Sequence, residues 1–115
     1  SGQIGSIVTV TGAIDIVADQ SKAYIIRNGH PMMSRITGTG CMLTALIAAY
    51  CAANPHRHLE ATAAAVCAFG LSGELAYDKL SKADGGTASF RTCLIDALSK
   101  LDANTLKGGM KIESR

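Results

Sequence analysis

Short β-branched runs fill the first 27 positions, and long Ala- and Leu-rich runs follow residue 40. Residues 6–12, Ser-Ile-Val-Thr-Val-Thr-Gly, predict a strand that Gly12 ends. Residues 13–18 alternate well enough for a second strand. Asp19-Gln20-Ser21 is a polar turn, and 22–27 predicts a third strand, so 13–27 forms a hairpin. Asn28-Gly29 then marks another turn. Thr37-Gly38-Thr39-Gly40-Cys41 is a Gly-rich loop running into a helix that is apolar nearly all round and ends at Asn54-Pro55. Such a helix is a buried one.

Residues 58–81 predict a second, Ala-rich helix with Gly70 and Gly73 inside it. Each internal glycine costs up to ~1 kcal/mol relative to alanine. A close contact with a neighbouring element is the compensation that would justify them. Asp84-Gly85-Gly86 is a loop, and 88–101 a third helix, with Phe90, Leu94, Leu98 and Leu101 on one face. Thr87 or Ser89 is positioned to cap its start. Gly108-Gly109 breaks the tail, and 110–113 predicts a short edge strand. Three strands including a hairpin, then about three helices, make part of a layered α/β fold in a single domain covering 1–115.

Composition sharpens this picture. With 115 residues, 48% of them hydrophobic, and a mean hydropathy of +0.22, the chain carries more apolar side chains than a small lone domain can bury. That excess predicts elements covered on both faces, by further chain or by a partner. Ser1 in place of Met fits a fragment. A net charge of +2 and 4% aromatic residues give neither the basic stripe nor the stacking platform of a nucleic-acid binder. The apolar run 45–53 falls well short of the roughly 20 residues that span a membrane. Four cysteines with no C-x-x-C spacing and no secretory signal pattern point to a reducing cytoplasm.

The chemistry concentrates at Gly38-Thr39-Gly40-Cys41. A helix start leaves backbone N–H groups without partners and carries partial positive charge, which together favour anions. Glycines let an anion approach the backbone closely. The stretch is not a P-loop, for no Lys follows Gly40, and not a dinucleotide fingerprint, for Leu43 holds the last glycine position. Thr37 and Thr39 offer hydroxyl donors. Thiols at helix N-termini ionise more readily than most, so Cys41 is a candidate base or nucleophile, whereas Cys51, Cys67 and Cys93 read as small core residues. Thr11-Gly12 ends a strand, where α/β folds line their ligand crevices. His30 is a possible partner for Cys41 in space. His56 and His58 stand two apart, a spacing that suits a solvated loop better than a metal site. Asp15 and Asp19 are turn or ligand residues.

Taken together, Val10-Thr11-Gly12-Ala13-Ile14-Asp15, Asn28-Gly29-His30-Pro31 and Arg35-Ile36-Thr37-Gly38-Thr39-Gly40-Cys41-Met42-Leu43 resemble the hydroxyethylthiazole kinase family, with a weaker echo in Gly86-Thr87-Ala88-Ser89-Phe90. The resemblance corresponds to about the C-terminal half of a family member. It implies a ribokinase-like α/β/α fold and transfer of the γ-phosphoryl group of ATP, with Mg²⁺, to 4-methyl-5-(2-hydroxyethyl)thiazole in thiamine salvage. By the same resemblance Thr11 and Gly12 would meet ATP and Gly38 the thiazole. Gly38, Thr39, Gly40 and Cys41 would form the anion hole, and Cys41 would occupy the place of the base. Mg²⁺ ligands, a basic residue for the phosphates and much of the thiazole pocket would come from outside this chain. A homotrimer, or association with the missing half, is implied. The alternatives are a non-catalytic phosphate- or nucleotide-binding piece, another ribokinase-like small-molecule kinase for a pyrimidine or sugar, and a hydrolase using Cys41 and His30.

Overall fold

A computed structural model describes residues 7–12, 14–35, 38–83 and 87–115. The strands β1 (Val8–Val10), β2 (Asp15–Ala18) and β3 (Ala23–Ile26) form where the β-branched runs predict them, each shorter than its run. Ser6 and Ala13, at the predicted strand ends, lie outside the described residues. The β2–β3 hairpin closes on Asp19, whose carboxylate accepts from the Ser21 and Lys22 N–H groups at 2.8 and 2.9 Å. After a 3₁₀ turn (Pro31–Arg35) come the helices α1 (Thr39–Ala53), α2 (His58–Ala83), α3 (Thr87–Lys100) and α4 (Ala103–Gly109), then β4 (Ile112–Ser114).

Two sequence expectations need correction. The tail does not break at Gly108-Gly109, because both lie in a fourth helix. Asp102 caps it, accepting from the Thr105 N–H at 2.7 Å, so the helix forms in spite of its glycines. Helix α3 begins at Thr87, so Ser89 lies inside its first turn and caps nothing. The predicted edge strand does form, starting two residues and ending one residue later than the expected 110–113: Ile112–Ser114 pairs with β3.

The sheet is antiparallel throughout, in the order β1-β2-β3-β4. Register puts Val17 opposite Tyr24, and Ile26 opposite both Asp15 and Ile112, so these side chains share one face. That face packs on α2: Val17 and Ile26 are fully buried against Leu59, Ala63, Val66 and Cys67. The far side of α2 supports a second cluster, in which Phe69, Ala76 and Leu80 meet Phe90 and Leu94 of α3. By length and composition α2 could cross a membrane, but 78% of its apolar window is buried among the other elements.

The other sheet face is bare among the described residues. Val8, Val10 and Ile16 are 40–59% exposed. No residue of the apolar helix α1 is fully buried, contrary to the buried helix its sequence predicts, because among the described helices only α2 packs extensively on it. The apolar excess therefore has a structural location: one sheet face and α1, the surfaces where a layered fold would continue.

The two internal glycines of α2 have the close contacts their cost implies. A Cβ on Gly70 would lie 2.7 Å from the carbonyl carbon of Asn28, and one on Gly73 would collide with the Met33 sulfur. Gly70→Ala should therefore lower the free energy of unfolding by about 1–3 kcal/mol, the usual cost of overpacking. Gly108→Ala, inside α4 with no described atom within 4 Å of its Cβ, should leave that free energy unchanged or raise it by up to ~1 kcal/mol. Urea midpoints of the two variants check this pair, and equal midpoints would remove the claim that α2 is pressed against Asn28.

Candidate active site

The start of α1 is built without a side-chain cap. Gly38 precedes the helix at φ +92°, in the left-handed region that suits glycine. The first intrahelical bond runs from the Met42 N–H to the Gly38 carbonyl, 3.0 Å. The N–H groups of Thr39, Gly40 and Cys41 thus have no helical partner, and no acidic side chain stands in the first turn. Among the described residues, a Cβ on Gly40 would meet nothing within 4 Å. This helix start is open, donor-rich and free of negative charge.

It borders a cleft of about 520 Å³. Thr39, Gly40 and Leu43 of α1 form one wall, and Thr11 and Gly12 from the β1–β2 connection, with Asp15 at the start of β2, form another. The Asn28-Gly29-His30 segment faces them, with Val66, Phe69 and Gly70 of α2 as the floor. Four residues picked out from the sequence, Thr11, Gly12, Thr39 and Gly40, thus share one cavity although 28 positions separate the two pairs. Gly38 and Cys41 flank Thr39 and Gly40 in the chain but do not line the cleft; Cys41 is exposed. Thr37 and Ile36 lie outside the described residues.

The remaining candidates sort by their surroundings. Asp15 lines the cleft and also accepts from the Gly12 N–H at 3.1 Å, which fixes the bend after β1. Burial pushes its carboxyl above the usual aspartate value, against the opposing pull of the Gly12 hydrogen bond. Asp19 is a turn residue, held below the usual range by the Ser21 N–H and its other turn bonds. His30 stacks on Tyr77 with ring centroids 3.7 Å apart, and its Nδ1 accepts from the Met32 N–H at 3.1 Å. Among the described residues no hydrogen bond joins it to Cys41. His56 and His58 border a separate polar hollow with Lys22 and Arg57. Cys67 is buried in the sheet–α2 core, and its thiol is pushed up to about 11 by burial and by the charge of Asp15. Cys51 and Cys93 are half-buried, and Cys51 also touches the Thr62 hydroxyl at 3.4 Å.

One cation was not legible in advance. The Arg91 guanidinium of α3 reaches to 3.9 Å from the point where a Gly38 Cβ would stand, which places a full positive charge beside the α1 start. Its sequence neighbours are ordinary amphipathic-helix residues, and only the packing of α3 on α2 brings it there.

Comparison with known proteins shows the family. A profile of the hydroxyethylthiazole kinase family matches residues 1–104. The chain belongs to the hydroxyethylthiazole kinase family. Its similarity to the hydroxyethylthiazole kinase of Clostridium acetobutylicum is 54% identity over 99% of this chain and 41% of that protein. For the enzyme of that name from Ruminiclostridium cellulolyticum, identity is 41% over 89% of this chain and 36% of the relative. Among solved structures, the hydroxyethylthiazole kinase protein of Pyrococcus horikoshii OT3 superposes with a TM-score of 0.88 at 33% identity, over 99% of this chain and 42% of that one. The chain therefore has the ribokinase-like α/β fold of this family and spans about two fifths of the length of the relatives it matches.

Proposed function

We propose that this chain supplies the phosphate-cradling part of a kinase that moves the γ-phosphoryl group of ATP to the primary hydroxyl of 4-methyl-5-(2-hydroxyethyl)thiazole. What carries the reading is the uncapped start of α1 facing Thr11 and Gly12 across one cleft, in a chain of this family. Phosphoryl transfer asks a protein mainly for positioning and for donors aimed at the charge that develops on the transferred group. The Thr39, Gly40 and Cys41 N–H groups are such donors, and Arg91 adds a full charge beside them. Thr11 and Gly12 border the nucleotide, and Gly38 stands against the thiazole. The alcohol oxygen bonds to the γ-phosphorus as the bond to the ADP oxygen breaks, and the alcohol proton passes to the Cys41 thiolate, which becomes the thiol.

ATP suits these residues through its phosphates. The Mg²⁺ that accompanies ATP in this reading would shield phosphate charge. Among the described residues no group of three or more His, Cys, Asp or Glu side chains is arranged to hold it.

The test is transfer itself. The native protein, given ATP, Mg²⁺ and the thiazole alcohol, should form the phosphate ester and ADP in equal amounts, followed by ³¹P NMR. ADP release that ignores the alcohol, or ATP binding without transfer, would sink the reading. Faster transfer to a hydroxymethylpyrimidine would move the assignment to another kinase of the same fold.

A further inference from the structure

One stripe of α2 holds the cleft wall that faces Thr39 and Gly40. Its residues stand at helical spacing: Gly70, Gly73, Glu74 and Tyr77. Gly70 admits the Asn28 backbone, Gly73 admits Met33, and Tyr77 stacks on His30. Glu74 makes the polar connection. Its Oε2 accepts from the Asn28 side-chain amide at 2.7 Å and from the Gly29 N–H at 3.1 Å, while its Oε1 accepts from the Lys111 ammonium at 2.6 Å. Asn28 is almost fully buried, and its amide is satisfied on all sides: it also donates to the Gly109 carbonyl at 2.9 Å and accepts from the Lys111 N–H at 2.8 Å.

We infer that Glu74 is a positioning residue for the cleft, acting through Asn28 and Gly29 to hold the Asn28-Gly29-His30 wall at its distance from the α1 start. The inference rests on the proposed function only in taking that cleft as the substrate and nucleotide site. Gly29 sits at φ +132°, a conformation open to glycine and costly for other residues, so the bend is poorly held by its own backbone preferences. A fixed acceptor on α2 supplies what the local chain does not. Burial on its own would push the Glu74 carboxyl up, but the Lys111 ammonium, the Asn28 amide and the Gly29 N–H outweigh it and hold it ionised below the usual glutamate value. The carboxylate is therefore a charged acceptor, and such hydrogen bonds are the stronger kind.

Three variants of the native protein separate positioning from plain stability. Glu74→Ala removes both acceptors. It should raise the KM for the thiazole alcohol or for ATP about tenfold with a smaller change in kcat, as displacement of a binding wall does. Glu74→Gln keeps one oxygen for Asn28 and Gly29 and should return KM to within about threefold of wild type. Lys111→Met removes the ion pair but leaves its backbone bond to Asn28, and KM should change less than about twofold, as for an exposed pair. Amide hydrogen exchange gives a second readout, since the Gly29 amide should exchange faster in Glu74→Ala and not in Glu74→Gln. Unchanged exchange in Glu74→Ala, or faster exchange with unchanged KM, overturns the inference. So does a Glu74→Gln variant as impaired as Glu74→Ala. If the wild-type protein transfers no phosphoryl group, the kinase reading fails, and the exchange measurement still decides whether Glu74 holds the wall.

Discussion

Gly40→Ala should lower kcat/KM at least about a hundredfold, the cost of losing one preorganised donor to a developing anion, while the melting temperature holds or rises. The two halves of this expectation have separate causes. Among the described residues a methyl group at this position meets nothing within 4 Å, so it creates no clash with them. Gly40 is the second residue of α1, and alanine is the better helix former by up to ~1 kcal/mol. Any loss of activity must then come from a molecule that occupies the open space in front of Gly40. A phosphate cradled by the Thr39, Gly40 and Cys41 N–H groups is such a molecule, and a Cβ would hold it off those donors. Gly38→Ala does not isolate the effect, because φ +92° makes any side chain there strained. Paired kinetics and calorimetry on Gly40→Ala are the check. Full activity in a folded variant would mean that no anion approaches that backbone.

The part of the site that a linear reading reaches is the part made by local sequence. Gly38 to Cys41 announces an open helix start because glycine, hydroxyl and thiol precede a mostly apolar run. Asn28-Gly29 announces a turn, and the φ of +132° at Gly29 is the geometry behind that signal. Gly70 and Gly73 announce close contacts, although which segment presses on them waits for the fold. Helix α4 had only a weak local signal, since Asp102 is a favoured N-cap residue type, and Gly108-Gly109 obscured it. What no local pattern contains is the meeting of distant residues. Asn28 and Glu74 are 46 positions apart, and an isolated glutamate in an Ala-rich helix looks like a solvated charge. Arg91 reaches Gly38 only because α3 packs on α2. The sequence also says nothing of depth, so Cys41 and Thr39 look equivalent until one is found outside the cleft and the other in its wall.

Replacing Cys41 divides the work of the helix start into donors and base. On the proposed reading, Cys41→Ala keeps the backbone N–H and removes the sulfur, so the anion cradle would survive and only the acceptor for the alcohol proton would be lost. Losing a general base typically costs about 10²–10⁴ in rate, and kcat and kcat/KM should fall together, because the proton moves only as the transition state forms. Cys41→Asp restores an acceptor at the same point of the helix and should recover much of the activity. The thiol can also be tested chemically without a mutation. Cys41 is exposed, while Cys67 is buried with its thiol held up at about 11, so iodoacetamide should reach Cys41 first and Cys67 last. Inactivation should follow the modification of Cys41 and slow when ATP is present, even though Cys41 stands at the rim and not in the wall of the cleft. If Cys41→Ala turns over at the wild-type rate, the sulfur takes no proton. Catalysis would then rest on the backbone donors of α1 and on Arg91, with solvent accepting the proton.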